Sequence, residues 1–222
     1  MIIAIGILLA AVISYFIGSC NSAIITIKLL RHEDIREHGS KNAGLTNTLR
    51  CYGKIPALIT LIGDLSKGII AVLISTFLFT LIAGPEIENQ FVGYISGFFS
   101  IIGHIFPIYY GFKGGKGILV SCSILIVIDP LTFLIVIPFF ALILFITRYV
   151  SVSSITSAIA YPIITFCTQY FIHEKPLQSV LLNTALVICT SALLIYMHRA
   201  NIKRLKNGTE NKFTFKSNKE SS

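Results

Sequence analysis

Charged residues are scarce in this sequence. Asp, Glu, Lys and Arg make up only 13% of its 222 residues, whereas a soluble domain of this size carries roughly a quarter. Hydrophobic residues make up 54%, and the mean hydropathy is +0.80. These charged residues are too few to cover a protein surface that faces water. Lipid must therefore cover much of the protein surface. The composition excludes an ordinary soluble domain and predicts one membrane-embedded domain over residues 1–222, with a flexible basic tail over 206–222.

Several catalytic and metal-binding motifs are also absent. The sequence has no GxSxG nucleophile elbow, no HxxxxD motif and no zinc motif. Its five cysteines are scattered, and no CxxC pair occurs. We therefore expect no metal, no cofactor and no nucleic-acid partner. Any catalysis must use an unusual base, or a base that the substrate brings.

Long apolar runs predict membrane helices, since about 20 helical residues cross the apolar core of a bilayer. The first run lacks a preceding basic region, so we expect it to stay as a helix and not to be removed as a signal peptide. A shorter run, 118–128, ends at Asp129–Pro130, which disfavour a helix interior; it forms either a short seventh helix or a re-entrant segment. The long runs occupy about 2–30, 56–83, 91–110, 131–147, 153–172 and 178–197. The predicted fold class is an all-α integral membrane protein, a seven-helix transmembrane bundle with one short helix.

Basic residues cluster on one side of this predicted topology. Most of the 18 Lys and Arg residues fall in segments 31–54, 111–117, 148–152 and 199–222. The opposite side, formed by 84–90, 129–130 and 173–176, carries Lys175 alone. The positive-inside rule places the basic side in the cytoplasm. The N-terminus is then outside and the C-terminus cytoplasmic, in a multi-pass protein of the inner (plasma) membrane.

The first two basic loops contain groups that bind phosphate. The first, RHEDIREHGSKNAGLTNTLRCYGK (31–54), combines hydroxyls, backbone amides and cations; the alternative is an ordinary basic loop. The second, GHIFPIYYGFKGGKGILVS (103–121), places three glycines around Lys116, which lets the backbone approach a ligand closely. It lacks the GxxxxGK[ST] spacing of a P-loop. An anion site at the start of helix 118–128 and a flexible turn both remain open.

Three further segments carry polar residues. The serines of YVSVSSITSA (149–158) either cap the sixth helix or contribute to an anion site. His198 and Asn201 lie three residues apart and so share a helix face, although their segment also suits attraction to anionic lipid. Asp64 and Lys67, within the second helix, predict an internal ion pair with a structural role; a direct catalytic role for Asp64 is the alternative.

Five segments, taken together and in order, resemble the PlsY family of acyl-phosphate:glycerol-3-phosphate acyltransferases over nearly the whole chain. They are DIREHGSKNAGLTNTLRCYGK (34–54), GDLSKG (63–68), GHIFPIYYGFKGGKGI (103–118), YVSVSSI (149–155) and HRANIKRLKNGTENKF (198–213). The resemblance implies transfer of a fatty acyl group from acyl phosphate to glycerol 3-phosphate. The products would be 1-acyl-glycerol 3-phosphate (lysophosphatidic acid) and phosphate, in phospholipid biosynthesis.

The resemblance also implies roles for particular residues. His198 and Asn201 are the expected catalytic residues, and Arg50 is expected to hold the phosphate of glycerol 3-phosphate. The other expected substrate-binding residues are Ser40, Asn42, Gly114, Gly115, Lys116, Gly117, Ser153 and Ser154. Backbone amides of the glycine-rich segment are expected to stabilise the developing oxyanion, and the substrate's own phosphate to accept the hydroxyl proton. Glycerol 3-phosphate, acyl phosphate and membrane lipids are the expected partners, and the sequence predicts no oligomeric state.

The main alternative is a membrane transporter of anions or phosphate esters. Such a transporter places its binding groups near the midplane, often in paired half-repeats. Here the polar groups lie at one face, and we find no internal repeat, so the acyltransferase is favoured.

Three departures from the family pattern bear on this expectation. The chain has GSCNSA at 18–23 and GKGILVS at 115–121, and Lys41 stands where a glycine is usual. If that position requires a positive φ, Lys41 destabilises the first loop.

Overall fold

The computed structural model describes residues 1–84 and 90–213. These residues are helical apart from their connections. The α-helices are α1 (Ile2–Ser19), α2 (Ser22–Arg31), α3 (Leu45–Tyr52), α4 (Lys54–Ala83), α5 (Gln90–Ile105), α6 (Ile118–Ile128), α7 (Pro130–Thr147), α8 (Val150–Cys167), α9 (Leu177–Met197) and α10 (Arg199–Lys206). Short 3-10 helices cover Ile35–Glu37 and Ile108–Tyr110, and a π-helix, Thr168–Ile172, extends α8.

Six helical segments are long and apolar enough to cross a membrane, as predicted. They are Ile2–Arg31, Lys54–Ala83, Gln90–Tyr110, Pro130–Thr147, Val150–Ile172 and Leu177–Met197. The seventh, α6, has 11 residues, about 16 Å of helix, roughly half of the apolar core. Asp129 ends α6 and caps α7, since its Oδ1 accepts a hydrogen bond from the Thr132 amide at 3.0 Å. The all-α membrane bundle with one short helix is therefore confirmed.

The first apolar run is broken, where the sequence predicts one continuous helix. α1 ends at Ser19, and Asn21 starts α2 by accepting a hydrogen bond from the Ile24 amide at 3.1 Å. An N-cap asparagine favours a helix start even inside an apolar run. The break frees the Cys20 carbonyl, which accepts from Lys67.

Helices α1, α4 and α5 pack closely against one another. Gly18 of α1 lies directly against the Ser100 backbone, and Gly103 of α5 lies against the Tyr15 carbonyl. A hydrogen bond of 2.8 Å between the Ser14 and Ser75 hydroxyls joins α1 to α4. An apolar cluster then connects α4, α5 and α6 to α8 and α9; its buried members are Val72, Ile101, Ile105, Val120, Ile124, Ala158 and Leu194.

A buried polar network occupies the end of the bundle beyond the short helix. Tyr94 donates to Asp129 Oδ2 at 3.2 Å, and Gln169 Nε2 donates to the Tyr94 oxygen at 2.7 Å. Asn183 Nδ2 donates to Gln169 Oε1 at 3.0 Å. These bonds satisfy polar groups that would be costly to bury alone.

Candidate functional site

One cavity of about 2140 Å³ brings together most of the predicted site residues. It lies where the first loop (31–54), the segment 111–117 and the starts of α8 and α10 meet, which we call the basic end of the bundle. Predicted residues that line it are Ser40, Asn42, Arg50, Lys116, Gly117, Ser154, His198 and Asn201. Four separate segments thus converge on one site, although Arg50 and Asn201 are 151 positions apart in sequence.

Three predicted residues do not line the cavity in the described part of the chain. Ser153 is fully buried, and its hydroxyl donates to the Tyr149 carbonyl at 3.1 Å. Gly114 and Gly115 lie behind the cavity wall. Their amides donate to the carbonyls of Ile105 and His104 at 3.0 and 3.1 Å. In this structure these two amides are therefore occupied by carbonyls at the end of α5.

Gly114 and Gly115 are glycines because the loop packs directly against the end of α5. A Cβ at Gly114 would lie 2.0 Å from the His104 carbonyl oxygen, and one at Gly115 would lie 2.1 Å from His104 Nε2. The close approach expected from their sequence exists, but it is to the protein and not to a ligand. A glycine-rich pattern alone does not distinguish these two uses.

Gly117 and Lys116 do face the cavity. Gly117 has a φ of 88° and immediately precedes α6, a left-handed conformation that favours glycine. The first amides of a helix have no partner within it, so the start of α6 presents donors beside Lys116. The position of these donors agrees with the predicted anion site, which stays a prediction.

Lys116 belongs to a chain of hydrogen bonds that ends at Glu210. Lys116 Nζ donates to Asn201 Oδ1, and Asn201 Nδ2 donates to Glu210 Oε1 at 2.6 Å. Arg204 Nε donates to Glu210 Oε2 at 2.6 Å, and Ser151 donates to Oε1 at 2.9 Å. Glu210 therefore fixes α10 and the start of α8 around Lys116.

Glu210 was not among the predicted site residues. The sequence feature that could have identified Glu210 is its place in the segment GTENKF (208–213), where it is an acidic residue within a basic stretch. The bonds of Glu210, and a 2.7 Å bond from the Phe213 amide to the Arg148 carbonyl, attach residues 207–213 to the bundle. The prediction of a flexible tail from residue 206 is therefore wrong for this part; the remainder, 214–222, lies outside the described residues.

The charges in this cluster shift one another's titration. Burial and the positive charges of Arg204 and Arg50 together lower the pKa of Lys116 to about 8, while the negative charge of Glu210 opposes them. Burial raises the pKa of Glu210, but hydrogen bonds from Arg204, Asn201 and Ser151 outweigh this and leave it below its ordinary value. Glu210 is thus ionised at neutral pH, and Lys116 is a cation that loses its proton easily.

His198 is held in one tautomer. It lies between α9 and α10, is 3% exposed, and its Nδ1 is 2.8 Å from the Leu194 carbonyl oxygen. A carbonyl can only accept, so Nδ1 carries the proton and the neutral ring keeps a lone pair on Nε2. Burial lowers the pKa of His198 to about 4, with Lys116 acting in the same direction and the Leu194 bond opposing. The ring is therefore neutral at pH 7.

The first loop is organised by Asn47. Asn47 Oδ1 accepts from the Ser40 amide at 2.9 Å, and its Nδ2 donates to the carbonyls of His38 and Ile35 at 3.0 and 3.3 Å. These bonds hold Ser40 at the cavity. Lys41 follows with a φ of 59°, so the position does require the conformation that a glycine favours.

Arg36 joins the first loop to the second. Its Nε and Nη2 donate to the Asp34 carboxylate at 2.6–3.0 Å, and Nη1 donates to the carbonyls of Tyr110 and Lys113 at 2.6 and 3.1 Å. Sequence reasoning gave Arg36 no role beyond its charge. The pairing fixes the distance between the first loop and the segment 111–117.

The cavity continues into an apolar groove between α6, α7 and α8. Its lining includes Cys122 and Leu125 of α6, Val136 and Phe140 of α7, and Tyr161 of α8. A single cavity therefore combines cations and hydroxyls at the basic end with an apolar branch inside the bundle. Residues 1–84 and 90–213 contain no group of three or more His, Cys, Asp or Glu side chains placed to hold a metal ion.

The Asp64–Lys67 ion pair predicted within the second helix is present. Lys67 Nζ lies 2.8 Å from Asp64 Oδ1, and both side chains are buried. His104 joins them, with Nδ1 at 2.8 Å from Lys67 Nζ. The sequence did not indicate this third member.

Curated relatives and a family model match almost the whole chain. A family model described as glycerol-3-phosphate acyltransferase matches residues 8–208. A glycerol-3-phosphate acyltransferase from Chlorobaculum tepidum is 40% identical over 223 positions, covering 92% of this chain and 95% of the relative. One from Streptococcus thermophilus is 38% identical over 209 positions and covers 94% of each chain.

Two solved structures share the fold. Both are crystal structures of PlsY, described as an integral membrane glycerol 3-phosphate acyltransferase. The glycerol 3-phosphate form aligns with a TM-score of 0.77 at 31% identity, covering 94% of this chain and 96% of that one. The lysophosphatidic acid form aligns with a TM-score of 0.75 at 30% identity, covering 94% and 95%.

Proposed function

The chain belongs to the glycerol-3-phosphate acyltransferase family, and from this premise we propose that it transfers a fatty acyl group from acyl phosphate to glycerol 3-phosphate. The observation that carries the proposal is the form of the cavity. Its basic end suits two phosphates, and its apolar branch suits one acyl chain. The products are 1-acyl-glycerol 3-phosphate and inorganic phosphate.

Glycerol 3-phosphate binds at the basic end. Arg50 and Lys116 supply cations, and Ser40 supplies a hydroxyl. A guanidinium can bond two phosphate oxygens at once, which fixes orientation as well as charge. A bound dianion also favours the protonated form of Lys116 and so offsets the effect of burial on its pKa.

Acyl phosphate binds with its chain in the apolar groove and its head group at the start of α6. The free amides at Gly117 and the first turn of α6 are the available donors, because those of Gly114 and Gly115 are occupied. Donors aimed at the developing charge of a transition state accelerate acyl transfer. The glycine-rich loop thus acts through its last residue and the helix that follows.

The reaction needs no protein nucleophile. The sn-1 hydroxyl oxygen of glycerol 3-phosphate attacks the acyl carbon, a new C–O bond forms, and the bond from that carbon to the phosphate oxygen breaks. His198 accepts the hydroxyl hydrogen bond at Nε2 and orients the attack. With a pKa near 4 it is a weak base at neutral pH, so a substrate phosphate takes the proton.

We place the basic end in the cytoplasm of a cell with this protein in its plasma membrane. The charge distribution supports this orientation. Glycerol 3-phosphate is then bound directly from the cytoplasm, and the acyl product can leave sideways into lipid. Transport of a phosphate ester is less well supported, because the cationic groups lie at one end of the bundle and not near its midplane.

A donor comparison tests the proposal. Purified protein in detergent is given glycerol 3-phosphate with either acyl phosphate or acyl-CoA of the same chain, and lysophosphatidic acid is measured by mass spectrometry. Acyl phosphate should support turnover and acyl-CoA should not, since a nucleotide-binding loop is missing. Equal rates with both donors would exclude the proposed donor. Uptake of glycerol 3-phosphate into proteoliposomes without acylation would favour transport instead.

A further inference from the structure

Three buried titratable side chains have no part in the reaction proposed above. Asp64 and Lys67 on α4 and His104 on α5 are 1%, 6% and 3% exposed. We call them the buried triad. A buried charge is costly unless it is paired, so this arrangement requires an explanation beyond helix packing, for which apolar residues suffice.

Lys67 is the centre of the triad, and acceptors surround it completely. Its Nζ lies 2.8 Å from Asp64 Oδ1, 2.8 Å from His104 Nδ1 and 3.0 Å from the Cys20 carbonyl oxygen. An ammonium has three N–H donors and no acceptor, so Lys67 pairs with the Asp64 carboxylate by charge and can only donate to His104 and the Cys20 carbonyl. His104 Nδ1 must therefore accept, and the neutral ring carries its proton on Nε2.

His104, whose ring is held by Lys67, contacts the loop that carries Lys116 through both its backbone and its ring. The His104 carbonyl accepts the Gly115 amide at 3.1 Å, and the next carbonyl, of Ile105, accepts the Gly114 amide. The ring packs so closely on Gly115 that a Cβ there would lie 2.1 Å from Nε2. The same point is 2.5 Å from the Ala43 carbonyl oxygen, so the first loop also meets this surface.

The triad also reaches the first loop through the break between α1 and α2. Lys67 binds the Cys20 carbonyl, and the neighbouring Asn21 Nδ2 donates to the Ala43 carbonyl at 3.4 Å. Ala43 lies between Asn42, which lines the cavity, and the start of α3. One ammonium thus connects the supports of both phosphate-binding loops.

We propose that the buried triad, with Lys67 at its centre, is a positioning element that fixes residues 113–117, so that Gly117 faces the acyl phosphate and Lys116 faces the glycerol 3-phosphate. Its kinetic consequence rests on the proposed function, whereas its effect on loop order does not. Within the first loop, Arg50 lies on α3 and Asn47 holds Ser40 through contacts of their own. Loss of the triad should therefore lower turnover and acyl phosphate use, and it should weaken glycerol 3-phosphate binding only by the part that Lys116 contributes.

The test replaces both charges at once, because removal of one would leave the other unpaired. The variant is Asp64→Asn with Lys67→Met, which keeps the net charge. The matched control is Ser14→Ala with Ser75→Ala, which removes a buried polar contact between α1 and α4 away from the loop. Hydrogen–deuterium exchange of a peptide covering 111–118 is measured together with kinetics on the monodisperse protein.

We expect faster exchange of the 111–118 peptide in the triad variant and unchanged exchange in the control. Turnover per folded molecule should fall by about 100-fold, the size that a small misplacement can produce, while the Michaelis constant for glycerol 3-phosphate, which Arg50 and Ser40 also set, should rise by no more than about tenfold. His104→Asn is the second variant. It keeps an acceptor for Lys67 but removes the ring edge against Gly115, and it should also accelerate exchange.

The outcomes separate this inference from the proposed function. Wild-type exchange and kinetics in a folded triad variant would overturn the positioning role. So would failure of both variants to fold, which would mean that the triad supports the whole bundle. If the wild-type protein shows no acyl transfer, the proposed function fails, and the exchange measurement still decides whether the triad fixes the loop.

Discussion

At the residue scale, Lys41 shows how a single position can conflict with the backbone around it. Its φ is 59°, a left-handed conformation in which a side chain costs about 1–3 kcal/mol. Glycine relieves that strain but loses about 0.5–1 kcal/mol through its greater freedom in the unfolded chain. We expect Lys41→Gly to stabilise the protein by about 1 kcal/mol, measured as a raised melting temperature in detergent.

Lys41→Ala is the control for this prediction. Alanine removes the same charge but keeps a Cβ, so it should not reproduce the gain. Equal melting temperatures for the glycine and alanine variants would show that φ at this position has no energetic consequence.

Lys116 should set the alkaline limit of activity. Burial lowers its pKa to about 8, and the proposed phosphate contact needs the protonated form. The proton is therefore lost as pH rises through 8, and kcat/KM for glycerol 3-phosphate should fall by about tenfold per pH unit above that value. The measurement is the kcat/KM profile between pH 7 and pH 10.

Lys116→Arg provides the comparison. The guanidinium of this variant stays charged over this pH range. The kcat/KM of the variant should therefore not decline at alkaline pH as that of the wild type does, even if its values are lower throughout. Identical profiles for wild type and the arginine variant would assign the titration to another group.

The polar residues of the site could be predicted from the sequence, but not all of their roles. Arg50, Lys116 and His198 were identified because their segments resemble those of the PlsY family. The packing of Gly114 and Gly115 against the end of α5 could not be predicted, because a glycine required for packing and one required for ligand approach have the same sequence signature. Glu210 was missed because only the return of residues 207–213 to the bundle brings it to Asn201.

At the element scale, the short helix α6 and its neighbours define the apolar groove. Leu125 on α6, Val136 on α7 and Tyr161 on α8 are among the residues that line it. Tyr161 lies seven residues beyond Ser154, about 10 Å along the helix axis. It packs with Tyr94 and Leu125, so it closes the inner end of the groove.

Tyr161→Ala should therefore extend the groove and change the preferred chain length. We expect the ratio of kcat/KM for a longer acyl phosphate to that for a shorter one to rise by about tenfold, because one small pocket change has this range of effect. Tyr161→Phe keeps the ring and should retain the wild-type ratio. The ratio is measured with a series of saturated acyl phosphates of different chain length. An unchanged ratio in the alanine variant would place the acyl chain elsewhere.

Hydropathy predicted the membrane helices well and the connecting helices poorly. The spans are long apolar runs, and the turn at Asp129–Pro130 follows from residues that disfavour a helix interior. The break at Cys20–Asn21 lies inside an apolar run, where the capping bond of one asparagine decides the structure. Helices α3 and α10 lie in basic segments and are ordered by contacts that hydropathy does not report.

At the scale of the whole molecule, the distribution of basic residues predicts the orientation in the membrane. The predicted outer loop 84–90 falls largely outside the described residues, so His173 on the neighbouring outer turn is the better probe. In a cysteine-free background, His173→Cys should react with an impermeant maleimide added to intact cells. Lys212→Cys should react only after the membrane is opened.

Two controls make the labelling decisive. Each protein is labelled again in detergent to show that its cysteine is reactive, and each must retain its elution position in size exclusion. Labelling of Lys212→Cys in intact cells would reverse the proposed orientation and move the site to the outer face.

The central claim is that this bundle acylates glycerol 3-phosphate held by Arg50 at its basic end. The most direct measurement is the rate of lysophosphatidic acid formation from acyl phosphate, as a function of glycerol 3-phosphate, for wild type, Arg50→Lys and Arg199→Lys. Arg199 is exposed and is not among the described residues that line the cavity, so its variant is a matched control.

Wild type and Arg199→Lys should form lysophosphatidic acid with the same Michaelis constant. Arg50→Lys should raise that constant, with a loss of about 1.5–3 kcal/mol for a charge-assisted bond, and should elute as folded protein. Absence of lysophosphatidic acid with the wild-type protein, or an Arg50→Lys variant that cannot be distinguished from Arg199→Lys, would contradict the account.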